Sequence, residues 1–403
     1  MQFQESYDVL VVGGGVAGAA AALECSRAGL RTGLVEKTVL LGGLATAGLV
    51  NIYLPLCDGC GHQVIFGIAE ELLHLSLRYG PGEIPRAWRG GDAKPEGERY
   101  QVPFSPASFV LALDQVLEQA GVDLWLDTLA CLPLLSGDTI VGVEVENKSG
   151  RGVLMGRVVV DATGDGDVAY RAGAQCIEAD NWLSVWAVQT SSERVRRAAD
   201  ASVPDALLEM IRLGASASGG GMPPGVEKLH GTDGRQVTRF VIESHRLLRE
   251  YYADRQSRAG AGGRSALFPL TLPAMAQFRT TRHIVAQTTL QEGQETAHFA
   301  ESVGLAPDWR KPGPIWEIPY GSLLPRGVRG LLVAGRCIGA AGDAWEVTRV
   351  IPVAALTGQL CGLAATLALD GGVLPDQVLA AALQQQLRTR GMPYDRGEVL
   401  PNG

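Results

Sequence analysis

The chain has 403 residues, 46% apolar and 19% charged, enough material for a sizeable core and too little polarity for a disordered or coiled-coil protein. Its net charge of −8 argues against a general attraction to nucleic acid or anionic membrane. Glycine is in excess, 52 of 403 or about 13% against a usual ~7%, which points to tight turns and to backbone that approaches a ligand closely.

Residues 1–8 lack a basic stretch, so no signal peptide is expected. Residues 7–12 form an apolar run of buried parallel-strand type. Gly13-Gly14-Gly15-Val16-Ala17-Gly18 follows, then an alanine-rich helix over 19–28 stopped by Gly29, and a second strand over 32–35 closed by Glu36. This is a βαβ unit with the G-x-G-x-x-G fingerprint. Gly13 makes the tight turn, Gly15 lets backbone approach a pyrophosphate, and Gly18 lets helix and strand pack. The free N–H groups of the helix start then favour the anion. Glu36, eighteen residues past Gly18, stands where a carboxylate accepts a ribose hydroxyl, and its charge disfavours a 2′-phosphate. A second glycine pair lies in Leu41-Gly42-Gly43-Leu44-Ala45-Thr46.

Farther on, Cys57-Asp58-Gly59-Cys60-Gly61-His62 admits three readings: a zinc site short of a fourth ligand, a redox dithiol, or a structural loop. A helix is expected near 68–77 and a Gly/Pro-rich loop over 80–97. Ser105 and Pro106 read as N-cap and first residue of a helix to 119, stopped by Gly121. Strands are expected over 122–127, across the alternating valines 141, 143 and 145, and over 157–160, which runs into Ala162-Thr163-Gly164-Asp165-Gly166-Asp167. Gly164-x-Gly166-x-x-Ala169 could pass for a second fingerprint, but its two aspartates would repel a pyrophosphate. Residues 181–314 lack the βα rhythm. If 273–290 is helical, Arg279 and Arg282 share a face suited to a carboxylate, solvated salt bridges being the other reading. A strand over 331–334 runs into Gly335-Arg336-Cys337. Trp345 to Pro352 then opens a long uncharged stretch over 350–369, which reads as a buried helix rather than a membrane span. A last amphipathic helix is expected over 375–387.

On these motifs the chain resembles the FAD-dependent oxidoreductases of the glutathione-reductase-like flavoprotein superfamily, in particular a bacterial group that pairs an ATGDGD segment with a late LLVAGRCI…RVxP segment. The resemblance implies an α/β fold with a Rossmann-like FAD domain of glutathione-reductase type and an inserted α+β substrate domain. The expected divisions are 1–50, 101–180 and 315–371 for the discontinuous FAD domain, 51–100 and 181–314 for the substrate or cap domain, and 372–403 for a C-terminal helix and tail. FAD would be held by Gly13, Gly15, Val16, Ala17, Gly18, Glu36 and Lys37; by Gly42, Gly43, Leu44, Ala45 and Thr46; by Ala130; by Ala162, Thr163 and Gly164; and by Gly335, Arg336, Asp343, Arg349, Val350 and Pro352. No resident metal is expected.

Catalytic candidates are His62, as acid or base, Arg282 as an anion clamp, and Glu346 and Arg349, which precede the long helix and either serve flavin and substrate or pair with each other. His74 reads as structural, and the remaining histidines have no pairing that sequence reveals. The expected function is an FAD-dependent oxidoreductase moving hydride between a small molecule and flavin N5. The alternative is a flavoprotein that relays electrons to a docked protein partner. The substrate is anionic if the arginines bind it, and the electron acceptor is open. No nucleic-acid or membrane partner is expected, homo-oligomerisation is compatible with the sequence, and seven scattered cysteines suggest the cytoplasm.

Overall fold

The computed structural model describes residues 2–84, 101–200, 207–216 and 219–400. Most of the Gly/Pro-rich loop expected over 80–97 lies outside them. The fold is mixed α/β around a Rossmann-like parallel sheet. The apolar run at the amino end forms the strand Phe3–Val12, flanked in parallel by Thr32–Val35 and Gly150–Asp161. Asp123–Trp125 extends the sheet on one side and Leu331–Val333 on the other. Registers align the strand ends: Val12 stands opposite both Val35 and Asp161, and Asp161 opposite Val333. Gly13, Glu36, Ala162 and Ala334 therefore leave the sheet at one edge, the carboxyl end where such folds place ligands. On its side away from Phe3–Val12, the amino-terminal half of Gly150–Asp161 pairs with Thr139–Asn147, which pairs with Leu129–Ser136, so an antiparallel meander branches from the parallel core.

Two helices cover one face. Val16–Arg27 carries the expected alanine-rich stretch, and Ile351–Gly371 is the long uncharged one. The second is the one helix among the described residues long and apolar enough to cross a membrane, and most of it is buried inside the protein. Small residues let the pair meet: a Cβ at Gly358 would collide with the Ala17 carbonyl, and one at Gly362 would come within 2.6 Å of the Glu24 side chain. Ala17 facing Gly358 and Glu24 facing Gly362 means that the helices run in the same direction. The Ser105-capped helix spans Pro106–Ala120 with Gly121 in the left-handed conformation, as expected.

By contacts the chain divides into two compact units, 1–43, 52–177 and 282–403 on the one hand, 44–51 and 178–281 on the other. Residues 52–84 and 282–314, expected in the substrate domain, thus belong to the larger unit. The helix Ile68–Ser76 packs on the long apolar helix, whose Gln359 side chain accepts from the Ile68 N–H at 2.9 Å. The smaller unit carries a three-stranded antiparallel sheet, ordered Glu209–Gly214, Ser184–Ser191, Leu267–Thr271, under the helix Gly234–Arg258.

Two expected helices differ. Residues 273–290 are not helical: the strand Arg282–Ile284 lies inside them, and side chains from afar hold the backbone before it. Asn181 Oδ1 accepts from Arg279 N and Thr280 N, both at 3.0 Å, and Gln277 donates to the Gly48 carbonyl at 2.5 Å. Arg279 and Arg282 therefore share no helix face. The last amphipathic helix begins later, at Ala380–Thr389, and Pro375–Gln377 is a separate tight turn.

Candidate cofactor and active site

The three glycines of the first loop serve different ends. Gly13 has φ +106°, and a Cβ there would strike the Ala162 carbonyl; one at Gly18 would strike the Gly13 carbonyl. Both are glycine because the fold demands it. Gly15 is different. Its backbone is ordinary extended chain (φ −67°, ψ 178°), and a Cβ would meet nothing nearer than Gly43 Cα at 4.0 Å. No protein atom requires glycine at this position. It is also the N-cap of Val16–Arg27 and offers no side-chain cap, so the first N–H groups of the helix face that space. Gly15 and Gly42 form a bridge, and Gly42 N donates to the Gly14 carbonyl at 2.8 Å, which brings the second glycine pair against the first. Buried Glu36 accepts from Gly14 N at 2.8 Å and from Thr38 N and Oγ1 at 2.9 Å, fixed at the strand end. Lys37 is exposed beside it, Ala130 lies in the meander strand Leu129–Ser136, and Leu44, Ala45 and Thr46 begin the segment assigned to the smaller unit.

The 162–167 loop is clamped by two arginines. Arg336 Nε donates to the Gly164 carbonyl at 2.7 Å, and its guanidinium pairs with Asp165. Arg282 reaches Asp167 at 3.5 Å and the Asp165 carbonyl at 3.4 Å, with its guanidinium 3.8 Å from the Tyr170 ring centre. The side chain of Arg282 is only 6% exposed. Its guanidinium is turned to the loop, in contact with Asp167, the Asp165 carbonyl and the Tyr170 ring. Asp161, fully buried, accepts from Thr163 N and Oγ1 and from Ala169 N, and burial pushes its carboxyl above the ordinary range. The two loop aspartates that argued against a second pyrophosphate are here the partners of the clamps.

The long helix starts at Ile351 with Pro352 in its first turn and no side-chain cap on Val350, leaving unpaired N–H groups at its positive end. Gly335 fits against both helix starts, its would-be Cβ 3.0 Å from Ala17 Cβ and 3.8 Å from Ala354 Cβ. Arg349 pairs with Glu346, one of the two readings of that spacing, with Nε to Oε2 at 3.2 Å. Asp343 is paired too, with Arg310 at 2.6 Å. His62 lies in another groove: its Nδ1 is 2.8 Å from Asp58, and its neighbours there come from the carboxyl-terminal segment, not from the glycine loops. Cys57 is half-buried and Cys60 exposed, and with His62 they form no cluster tight enough to hold a metal.

His283 escaped the sequence reading. It is buried beside Trp345, ring centres 4.7 Å apart and edge-on, while Trp345 donates to the Arg336 carbonyl at 2.6 Å. Burial lowers its pKa, so the ring is neutral at pH 7. Only its position next to Arg282 could have drawn attention to it.

A parallel sheet edge with an open glycine-capped helix start, a fixed acid at the next strand end and a second uncapped helix start defines a dinucleotide-binding protein suited to a flavin dinucleotide. Similarity to known proteins carries this further. The model of the FAD dependent oxidoreductase family matches residues 8–195 and 189–387, and the chain belongs to that family. FAD is the family's cofactor, and the residues present fit it, the space at Gly15 above all. The chain is 35% identical over 74 residues to a thioredoxin reductase of Ureaplasma parvum (18% of this chain, 24% of that protein). It is 32% identical over 116 residues to an alkyl hydroperoxide reductase component of Pseudomonas aeruginosa (28% and 21%). The matches thus span about a quarter of the length of these curated relatives. Among solved structures, a geranylgeranyl bacteriochlorophyll reductase-like protein of Thermoplasma acidophilum has a similar fold at TM-score 0.51 and 14% identity, covering 96% of this chain and 84% of that one. The p-nitrophenol 4-monooxygenase PnpA of Pseudomonas putida gives 0.52 and 13%, covering 92% and 81%.

Proposed function

We propose that this protein is an FAD-dependent oxidoreductase of glutathione-reductase type that moves hydride between a small-molecule substrate and flavin N5, with one FAD per chain and no nicotinamide-binding domain of its own. The carrying observation is Gly15, a glycine that no protein atom requires, at an uncapped helix start. FAD, when bound, supplies the two-electron chemistry. The chain's residues do the holding. N–H groups at the start of Val16–Arg27 take the pyrophosphate, Glu36 retains acceptor capacity for a ribose hydroxyl, and Arg282 and Arg336 keep the 162–167 loop closed on the cofactor. The uncapped start of the long helix is suited to negative charge on the reduced ring.

A single cofactor is supported at the second fingerprint because the cations there, Arg336 and Arg282, are paired with Asp165 and Asp167 and are not turned to a second pyrophosphate. An anionic substrate loses support, since Arg282 and Arg349 are both turned to carboxylates of the chain. The smaller unit serves in this reading as the substrate domain, and seven scattered cysteines are consistent with the cytoplasm. Anaerobic flavin bleaching against a panel of metabolites tests the proposal. One compound should bleach the flavin with saturation while NADH and NADPH do not; rapid stoichiometric reduction by either nicotinamide at micromolar concentration would overturn it.

A further inference from the structure

The groove that holds His62 shares no wall with the glycine loops. It encloses about 460 Å³, inside the range of small-molecule sites, and is formed by the segment that carries His62 and Phe66 and by the carboxyl-terminal helices that carry Arg388 and Glu398. Asp58, 1% exposed, is fixed by N–H groups of Cys60 at 2.7 Å and His62 at 3.1 Å, and its second oxygen meets His62 Nδ1 at 2.8 Å. A carboxylate at Nδ1 makes that nitrogen the donor, so neutral His62 offers Nε2 as an acceptor.

Arg388 and Glu398 line the same groove without pairing. Arg388 donates to the Tyr394 hydroxyl and Glu398 accepts from Tyr394 N at 3.2 Å, and among the described residues neither has an ion-pair partner. A guanidinium and a carboxylate that line one groove without pairing present complementary charge to a ligand carrying both signs. Phe66 and buried Met392 add apolar wall.

We propose that this groove binds a small zwitterion with an apolar body, an amino acid or short peptide, whose carboxylate meets Arg388 and whose ammonium meets Glu398 and His62 Nε2. The site is independent of the flavin site. Calorimetric titration of the flavin-loaded protein with leucine, leucyl-leucine, leucinamide and N-acetylleucine tests it, with the first two separating amino acid from peptide. Leucine or leucyl-leucine should bind saturably, and the analogues lacking one charge should bind roughly tenfold or more weakly, the loss of one charge-assisted contact. R388Q and E398Q should each weaken binding by a similar factor, with flavin content and melting temperature unchanged, since both side chains are exposed. Absence of saturable binding by both zwitterions, equal binding of the blocked analogues, or undiminished binding by both variants would overturn the proposal.

Discussion

Arg282, in the strand Arg282–Ile284, and Arg336, in the tight turn Gly335–Cys337, converge on one loop. They stand 117 and 171 residues from Asp165, so neither contact could be read from spacing. The glycine loop was legible because its chemistry is local: turn, cap and acid follow one another within 24 residues from Gly13 to Glu36. Arg282 is expected from sequence on the substrate, and its guanidinium lies on Asp167 and the Asp165 carbonyl of the loop. R282M should therefore weaken FAD binding roughly ten- to a hundredfold, from loss of about 1.5–3 kcal/mol, in a fluorescence titration of apoprotein. The substrate KM should stay put. R282K should rescue poorly, because an ammonium cannot span Asp167 and the Asp165 carbonyl while lying over Tyr170. An unchanged FAD affinity with a raised KM would restore the substrate role. His283 gives a pH signature. Its folded pKa is lowered, so below about 6.5 the unfolded chain takes up a proton that the folded chain refuses, and stability falls as pH falls. Melting temperature between pH 7.5 and pH 5 should therefore drop less steeply in H283Q than in the wild type, with slopes compared under equal salt; identical slopes would show that His283 does not titrate differently on folding.

Helices with strong periodicity or caps were legible, and those undone by distant side chains were not. Ser105, Pro106 and Gly121 bracket their helix by local stereochemistry. Residues 273–281 have a helical composition in part, but Asn181 takes the N–H groups of Arg279 and Thr280 that a helix would use in i→i−4 bonds, and the Gln277 side chain is drawn to the distant Gly48 carbonyl. The uncharged stretch over 350–369 was read as buried, and its glycines show why it must be: they are the contact with Val16–Arg27. G358A forces a methyl into the Ala17 carbonyl and should cost about 1–3 kcal/mol or more by overpacking, read as a shift of the denaturation midpoint. G234A, where nothing lies within 4 Å, is the control and should change little. Equal midpoints for the two variants would show that the helices do not meet as described.

At the scale of the whole molecule, the parallel sheet places the ends of Phe3–Val12, Thr32–Val35, Gly150–Asp161 and Leu331–Val333 at one edge, and each strand runs directly into a cofactor motif. Each motif is legible in the sequence separately, and strand registry is what unites them. The allocation of residues 52–84 and 282–314 was less legible, since it depends on which surface their apolar faces cover. This edge holds FAD in the proposed reading, and Gly15 isolates that claim, because a Cβ there meets no protein atom nearer than Gly43 Cα at 4.0 Å yet enters the space proposed for the pyrophosphate. The most direct measurement is flavin absorbance per chain, with circular dichroism, for wild type and G15V after incubation with excess FAD and desalting. Wild type should carry one FAD per chain, and G15V should be colourless while keeping its secondary structure. A yellow G15V with undiminished flavin content would contradict it.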